Sequence, residues 1–179
     1  MKDFPLELLV RYQRYDSPVG PLVLASIGDA LCLCDWLGRP SAVRNKRRME
    51  RMLQVRFVEA PSAVVLRAKE QLDEYFAGRR RTFSLPLRAV GTDFQRRVWH
   101  ALLAIPFGQT CTYKDIALRL GDVRAVRAVA QAVGSNPLSI VCPCHRVVGS
   151  NHSLTGFAGG LAAKRALLEL EHATYGVNG

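Results

Sequence analysis

One stretch of the sequence concentrates reactive side chains: Asn136-Pro137-Leu138-Ser139-Ile140-Val141-Cys142-Pro143-Cys144-His145-Arg146-Val147-Val148. It reads as an apolar, strand-like run that delivers a proline-fixed backbone to Cys144, with a histidine and an arginine directly after it. Either cation, or a base acting through His145, would raise the thiolate fraction and make Cys144 a nucleophile. A buried thiol that merely fills space beside a surface histidine uses the same residue types, so composition leaves both readings open. Metal binding is the third chemistry to weigh, because Cys32-Leu33-Cys34 and Cys142-Pro143-Cys144 are both Cys-x-Cys pairs. That spacing is tighter than structural zinc sites use. Strand alternation points both members of such a pair to one side, and core packing is the expected use of Cys32 and Cys34.

A carboxylate offers to complete a relay. From Gly160 to Ala173 the spacing of Leu161, Leu167, Leu168 and Leu170 predicts a helix, and on its wheel Glu171 falls between Leu167 and Leu168. Either Glu171 is hydrated at the helix end, or it is a buried partner for a base such as His145. The second arrangement makes a Glu–His–Cys relay.

Two kinds of scaffold must hold these groups. In the first part of the chain, Pro18-Val19-Gly20 predicts a turn and Leu22–Ser26 a strand; Gly28-Asp29 reverses the chain into Ala30–Trp36, giving a β-hairpin. A basic helix is expected over Val43–Phe57. Another starts at Pro61-Ser62, buries Val65, Leu72, Tyr75 and Phe76, and stops at Gly78. Between Gly78 and Gly91 no period persists, which puts a boundary there. The expected organisation is an α/β support domain over residues 1–88, a small antiparallel sheet with helices, followed by a mainly α domain over 89–179. In that second part, Thr92 with Gln95 and Thr112 with Asp115 are helix-start signals, and Gly121 is a natural stop. The helix begun at Thr92 buries Phe94, Val98, Ala101, Leu102 and Ile105. The pair formed by Thr112–Leu120 and Arg124–Val133 has the ingredients of a helix-turn-helix of winged-helix-like type.

The formal charge of +10 and isoelectric point near 9.9 favour a polyanionic partner, nucleic acid first. Arg44–Arg48, Arg79–Arg81, Arg96, Arg97, Arg119, Arg124 and Arg127 carry much of it, although each run alone also fits a solvated surface. The N-terminus lacks a signal-peptide pattern and no apolar run is long enough to cross a bilayer. An intracellular protein, cytoplasmic or nuclear, with free thiols is therefore expected.

The Pro-Cys-His-Arg-Val-Val run at 143–148 resembles the signature of the O6-alkylguanine-DNA alkyltransferases. The resemblance extends to the Phe94–Trp99 helix, Ile105-Pro106-Phe107-Gly108, Tyr113, the Arg-Ala-Val-Arg-Ala-Val helix, Asn136-Pro137, Gly159-Gly160-Leu161 and the Leu167–Glu171 helix end. Residues 92–175 are covered in this way; the first half is similar only in Ser17-Pro18-Val19-Gly20 and its layout. The resemblance implies direct reversal of DNA damage, with one irreversible alkyl transfer per molecule from O6-alkylguanine to Cys144. It implies that His145 contacts Cys144 through a water and that Glu171 orients His145. Asn136 would brace the turn, and Tyr113 would hydrogen-bond the guanine. Arg127 would fill the space of the flipped nucleotide, with Tyr113, Arg124, Ala128 and Lys114 also meeting DNA in the minor groove. Val147, Val148, Ser139, Phe157, Ala158 and Gly159 would line the base pocket.

The implied partner is duplex DNA carrying O6-alkylguanine, with O4-alkylthymine left open. A monomer is expected, without membrane association, metal or cofactor. Phe157, Ala158 and Ser139 depart from commoner residues of that pattern, and their smaller groups lead us to expect a roomier pocket that accepts O6-benzyl adducts. Cys142, usually aliphatic, is expected to fill the core. The competing reading is a non-catalytic protein that binds and flags alkylated DNA; intact Cys144, His145 and Glu171 argue against it.

Overall fold

The computed structural model describes residues 8–175. Its first half is a four-stranded sheet of β1 (Leu8–Ser17), β2 (Gly20–Ile27), β3 (Ala30–Trp36) and β4 (Val55–Glu59), in the order β3-β2-β1-β4. The hairpin expected at Gly28-Asp29 joins β2 to β3, while β1 pairs antiparallel with the other side of β2. β4 adds to β1 in parallel, so the sheet is antiparallel except at that edge. The basic helix begins and ends earlier than its charge pattern suggests: α1 spans Pro40–Leu53, Gln54 takes a left-handed φ of 52°, and Val55-Arg56-Phe57-Val58 joins the sheet. Their β-branched and aromatic side chains suit a pleated surface better than a helix. α2 (Ala63–Phe76) starts where expected, with the Ser62 hydroxyl accepting from Val65 N–H, and Gly78 follows it at φ 73°.

The two helices cover opposite faces. Met49 of α1 packs with Val10, Ile27, Cys32, Leu33 and Val55; Val65, Leu72 and Tyr75 of α2 pack with Leu22, Leu24, Leu31 and Cys34. Cys32 and Cys34 thus lie in different clusters, against the alternation argument. A β-bulge is the reason: the pairing with β2 shifts between Ala25 and Ser26, leaving Cys32 as the extra residue of β3. The bulge also turns the peptide groups of Leu31 and Cys34, three residues apart, toward the free edge of the sheet. Leu31 there bonds the linker, donating to Pro86 O and accepting from Arg88 N–H, both at 2.8 Å. Cys34 likewise donates to Pro137 O at 2.8 Å and accepts from Ser139 N–H at 2.7 Å. The edge strand is sealed by the chain's own later segments.

Beyond the linker, Thr92 heads α3 (Asp93–Leu103) and Thr112 heads α4 (Tyr113–Arg119), each with a complete capping box. Gly121 at φ 86° ends α4, a 3-10 turn over Val123–Ala125 follows, and α5 (Val126–Gly134) completes the helix-turn-helix. α5 buries Val129, Ala132 and Val133, and its Ala132 carbonyl accepts from the Trp99 indole of α3 at 2.8 Å. The β structure of this half is a parallel pair of two-residue strands, β5 (Cys111–Thr112) and β6 (Val147–Val148). α6 (Leu161–Leu170) closes the fold, preceded by a loop in which Gly159 lies against the Trp36 ring and Phe157 meets that ring edge-on at 5.6 Å. A single buried cluster runs from β2 and β3 through α2, α3, α4 and α5 to α6. Among the described residues no helix is long and apolar enough to cross a membrane.

A Cβ at position 159 would overlap the Trp36 indole. Gly159→Ala is expected to lower the unfolding free energy by about 1–3 kcal/mol through overpacking. Urea unfolding checks this; an unchanged midpoint would show that the loop moves away without cost.

Candidate active site

The segment that carries Cys144 is a turn rather than a strand. Only Leu138 bridges to β3; Ile140 adopts φ 72°, and Cys142 N–H bonds back to Leu138 O at 2.7 Å. The clamp is the Asn136 side chain. Its Oδ1 accepts from Leu138 N–H at 3.0 Å and its Nδ2 donates to Cys142 O at 2.9 Å, tying both ends of the loop to one amide. Such a buried, doubly bonded amide competes well with strand pairing. Pro143 then leads into a 3-10 turn over Cys144–Arg146, where Cys144 is 5% exposed and His145 fully buried.

Behind the turn lies a carboxylate centre assembled from distant parts of the chain. Glu171, at the end of α6 and 2% exposed, accepts at Oε1 from the Tyr75 hydroxyl of α2 at 2.7 Å and from Arg146 Nη2 at 3.0 Å. Its Oε2 accepts from Arg146 Nε at 2.8 Å and from Gly108 N–H at 3.3 Å. His145 Nε2 lies 2.7 Å from Oε1. Burial pushes the carboxyl pKa up, but the bonds from His145, Arg146 and Tyr75 outweigh it and hold Glu171 well below the usual carboxylate range. An ionised carboxylate only accepts hydrogen bonds, so Nε2 must carry the proton. Burial, assisted by the charges of Arg146 and Lys164, lowers the His145 pKa in spite of Glu171. The imidazole is therefore neutral, and its other nitrogen, Nδ1, buried and without a protein partner among the described residues, keeps a free lone pair. The arrangement has the parts of a general base oriented by a carboxylate, adjacent in the chain to a thiol.

Burial raises the Cys144 pKa, and the Asp35 carboxylate adds to that; the Asn136 amide, the Lys164 ammonium and the Ser139 hydroxyl pull it down. The cation expected to act on the thiol was His145 or Arg146. Instead, His145 is neutral and Arg146 is committed to Glu171 and to the Ile105 carbonyl at 2.6 Å. Lys164 takes that place. It is 1% exposed, donates to Val147 O at 2.5 Å and Thr155 O at 3.2 Å, and burial brings its pKa down to about 8.

A recess of about 20 Å³ opens beside Cys144, lined by Val133, Gly134, Asn136, Ser139, Gly156, Phe157 and Ala158. Ser139, Phe157 and Ala158 are on its wall as expected. Val147 and Val148 are not, being buried in β6 behind it, and Gly159 faces Trp36 instead. The recess as it stands holds about one water-sized sphere. Tyr113, half-buried at the start of α4, shares a 2.9 Å hydrogen bond with Thr155 across the loop. Lys114, Arg124, Arg127 and Ala128 are exposed on α4, the following turn and α5, apart from the thiol. Cys142 fills the core, its thiol 3.4 Å from Trp99 O.

Sequence reasoning misses four groups. Tyr75 is legible only as a core residue of α2. Lys164 stands at i, i+3, i+4 and i+7 with Leu167, Leu168 and Glu171, a spacing that places it on the buried stripe. Asp35 and Asn45, fully buried around the start of α1, have no local signal.

Two family profiles match: "6-O-methylguanine DNA methyltransferase, ribonuclease-like domain" over residues 10–89, and "6-O-methylguanine DNA methyltransferase, DNA binding domain" over residues 93–173. The methylated-DNA–protein-cysteine methyltransferase of Mycobacterium tuberculosis is 43% identical over 166 residues, covering 91% of this chain and 93% of the relative. The constitutive enzyme of that name from Bacillus subtilis is 42% identical over 170 residues, covering 92% and 96%. Among solved structures, M. tuberculosis O6-methylguanine methyltransferase superposes with a TM-score of 0.77 at 44% identity, covering 91% and 93% of the two chains. The M. tuberculosis protein OGT in complex with DNA gives 0.78 at 42% identity, covering 92% and 93%.

Since the folded His145 resists protonation, the unfolded chain binds the extra proton as pH falls below about 6.5, so stability is present above that pH and declines below it. We expect urea-derived stability to fall between pH 7.5 and 5.5, with this residue contributing at most about 1.4 kcal/mol per pH unit. His145→Gln should flatten the decline; equal slopes in the two proteins would refute the assignment.

Proposed function

The chain belongs to the 6-O-methylguanine DNA methyltransferase family, a DNA-repair methyltransferase of the direct-reversal, single-turnover kind, and we propose that its acceptor is Cys144. The observation that carries the assignment is the buried His145–Glu171 pair, whose fixed tautomer leaves Nδ1 as a base one residue along the chain from a thiol that lines a recess. In the transfer, the Cys144 thiol proton passes to His145 Nδ1, directly or through water. The sulfur lone pair then forms the S–C bond while the C–O6 bond breaks and its electron pair stays with guanine. Guanine takes up a proton, so thiol and O6-alkylguanine become thioether and guanine. A thioether has no leaving group to return, and each molecule acts once.

The sulfur has to approach the alkyl carbon in line with the C–O6 bond, which a stacked and paired base forbids; the nucleotide must flip out. The recess is too small for a base, so the Gly156–Ala158 wall moves outward on entry. The Tyr113 hydroxyl, bonded to Thr155 in the loop that precedes the Gly156–Ala158 wall, donates toward O6 as charge develops there. Exposed Arg127 on α5 fills the vacated stack, while Arg124, Lys114 and small Ala128 allow α5 close approach to a narrow minor groove. We assign residues 1–88 the supporting role and residues 89–179 the DNA and transfer chemistry, in a protein acting as a monomer in the compartment that holds DNA.

Intact-mass spectrometry after incubation with a duplex carrying one O6-methylguanine should show one added methyl per protein, mapped to Cys144 and lacking in Cys144→Ser. Tight binding with no mass change would leave only lesion binding. Affinity for undamaged duplex should fall steeply with salt, and Arg124→Ala should reduce the slope of log affinity against log salt by about 1. A slope equal to that of the parent protein would take Arg124 off the phosphate backbone.

A further inference from the structure

The acceptor turn is held from outside as well as by its own Asn136. Asp35, at the end of β3 and fully buried, accepts at Oδ1 from Trp36 N–H at 2.8 Å and the Ser41 hydroxyl at 2.9 Å, and at Oδ2 from Asn45 Nδ2 at 2.6 Å. The same Asn45 amide, 2% exposed, lies 3.4 Å from the Asn136 carbonyl. One residue earlier, Ser135 O accepts from Arg48 Nη2 at 3.0 Å, and Arg48 Nε holds Val90 O at 2.8 Å. Two adjacent carbonyls at the end of α5, where a helix leaves such groups without intrahelical donors, are thus taken by side chains of α1.

We propose that Asp35 and Asn45 are positioning residues for the transfer: through the Asn136 carbonyl they hold the turn that presents Cys144, so the first half of the chain sets the reactivity of the acceptor. The proposal rests on Cys144 being that acceptor. A buried carboxylate is an expensive way to join two elements that apolar contacts could join. Asp35 orients the Asn45 amide, whose polar contact with the second half among the described residues is the Asn136 carbonyl. Burial raises the Asp35 pKa while the bonds from Trp36, Asn45 and Ser41 oppose that rise, and the ionised carboxylate also acts on the site. The groups that face the thiol are Lys164 from α6, Asp35 and Cys34 from β3, Tyr113 from α4 and Cys142 from its own turn; those that face Asp35 are Arg44 and Arg48 from α1 and Cys34 beside it. Neutralising Asp35 removes the one carboxylate acting on the thiol in this set, and the thiol then ionises at lower pH.

The test uses the full chain with Asn45→Ala, Ser41→Ala and Asp35→Asn. Single-turnover transfer from an O6-methylguanine duplex is measured per folded molecule, duplex affinity is measured in a Cys144→Ser background, and Cys144 alkylation by iodoacetamide is followed against pH. Asn45→Ala should transfer at least about tenfold more slowly with affinity changed by less than about twofold, because misplacement of a reacting group costs rate rather than binding. Asp35→Asn should shift the iodoacetamide profile to lower pH, which a purely structural residue would not do. Should Asp35→Asn not fold, the rate and binding comparison in Asn45→Ala and Ser41→Ala decides the matter. Wild-type rates together with wild-type pH profiles overturn the proposal. A wild-type protein that takes no methyl group would instead refute the proposed function, and the iodoacetamide measurements would then decide the positioning on their own.

Discussion

A carboxylate withdrawn from water must be surrounded by donors or give up its charge, and Glu171 is surrounded. Its partners come from α2, from the turn after α3 and from the acceptor turn itself: Tyr75, Gly108, His145 and Arg146. Each of those segments is placed by the need to satisfy one buried charge. The imidazole tautomer, the position of the acceptor turn and the docking of the first half's second helix are consequences of that one centre. Arg146, which sequence alone would assign to the thiol, is drawn off to neutralise the carboxylate.

The thiol is controlled from the opposite direction. It sits between a buried ammonium and a buried carboxylate, Lys164 and Asp35, within an environment that disfavours its ionisation. The neutral thiol is the resting form, and the base beside it is neutral as well. Reactivity is thereby tied to a bound substrate that expels water and aligns the alkyl carbon, so stray electrophiles meet an unactivated sulfur.

The local signals in the sequence proved sufficient for the second half. Thr92 and Thr112 head their helices with the capping boxes their spacing implies, Gly121 stops α4, and Glu171 lies on the stripe that its wheel position marks. These are short-range effects, carried by residues three or four apart. The failures are long-range. Nothing near Val55 says that β1 is waiting to pair with it, and a helix pattern therefore runs on too far. The apolar run at 138–142 has the composition of a strand, but a side-chain amide claims the peptide groups that a neighbour strand would need. The wall of the recess was half legible, since the bulk of Val147 and Val148 says nothing about which way β6 turns them. Tyr75, Asp35 and Asn45 meet the site only because α2, the sheet and α1 fold against segments some ninety to one hundred positions away.

The bulge in β3 works as a phase shifter: it brings two edge positions that plain alternation would put out of step, Leu31 and Cys34, to the same side of the ribbon. Linker and acceptor segment hang from those two positions. Loss of one residue between them would remove the bulge and gain of one would widen it, and either changes the local bend and twist of the strand that set how the two attachments lie relative to each other. The same change in the exposed Gly28-Asp29 reversal would alter only the length of a hairpin tip. Insertions and deletions in this lineage should therefore accumulate at the hairpin tip and be purged from a four-residue window in the neighbouring strand, which makes the window a fixed ruler between the two halves of the molecule.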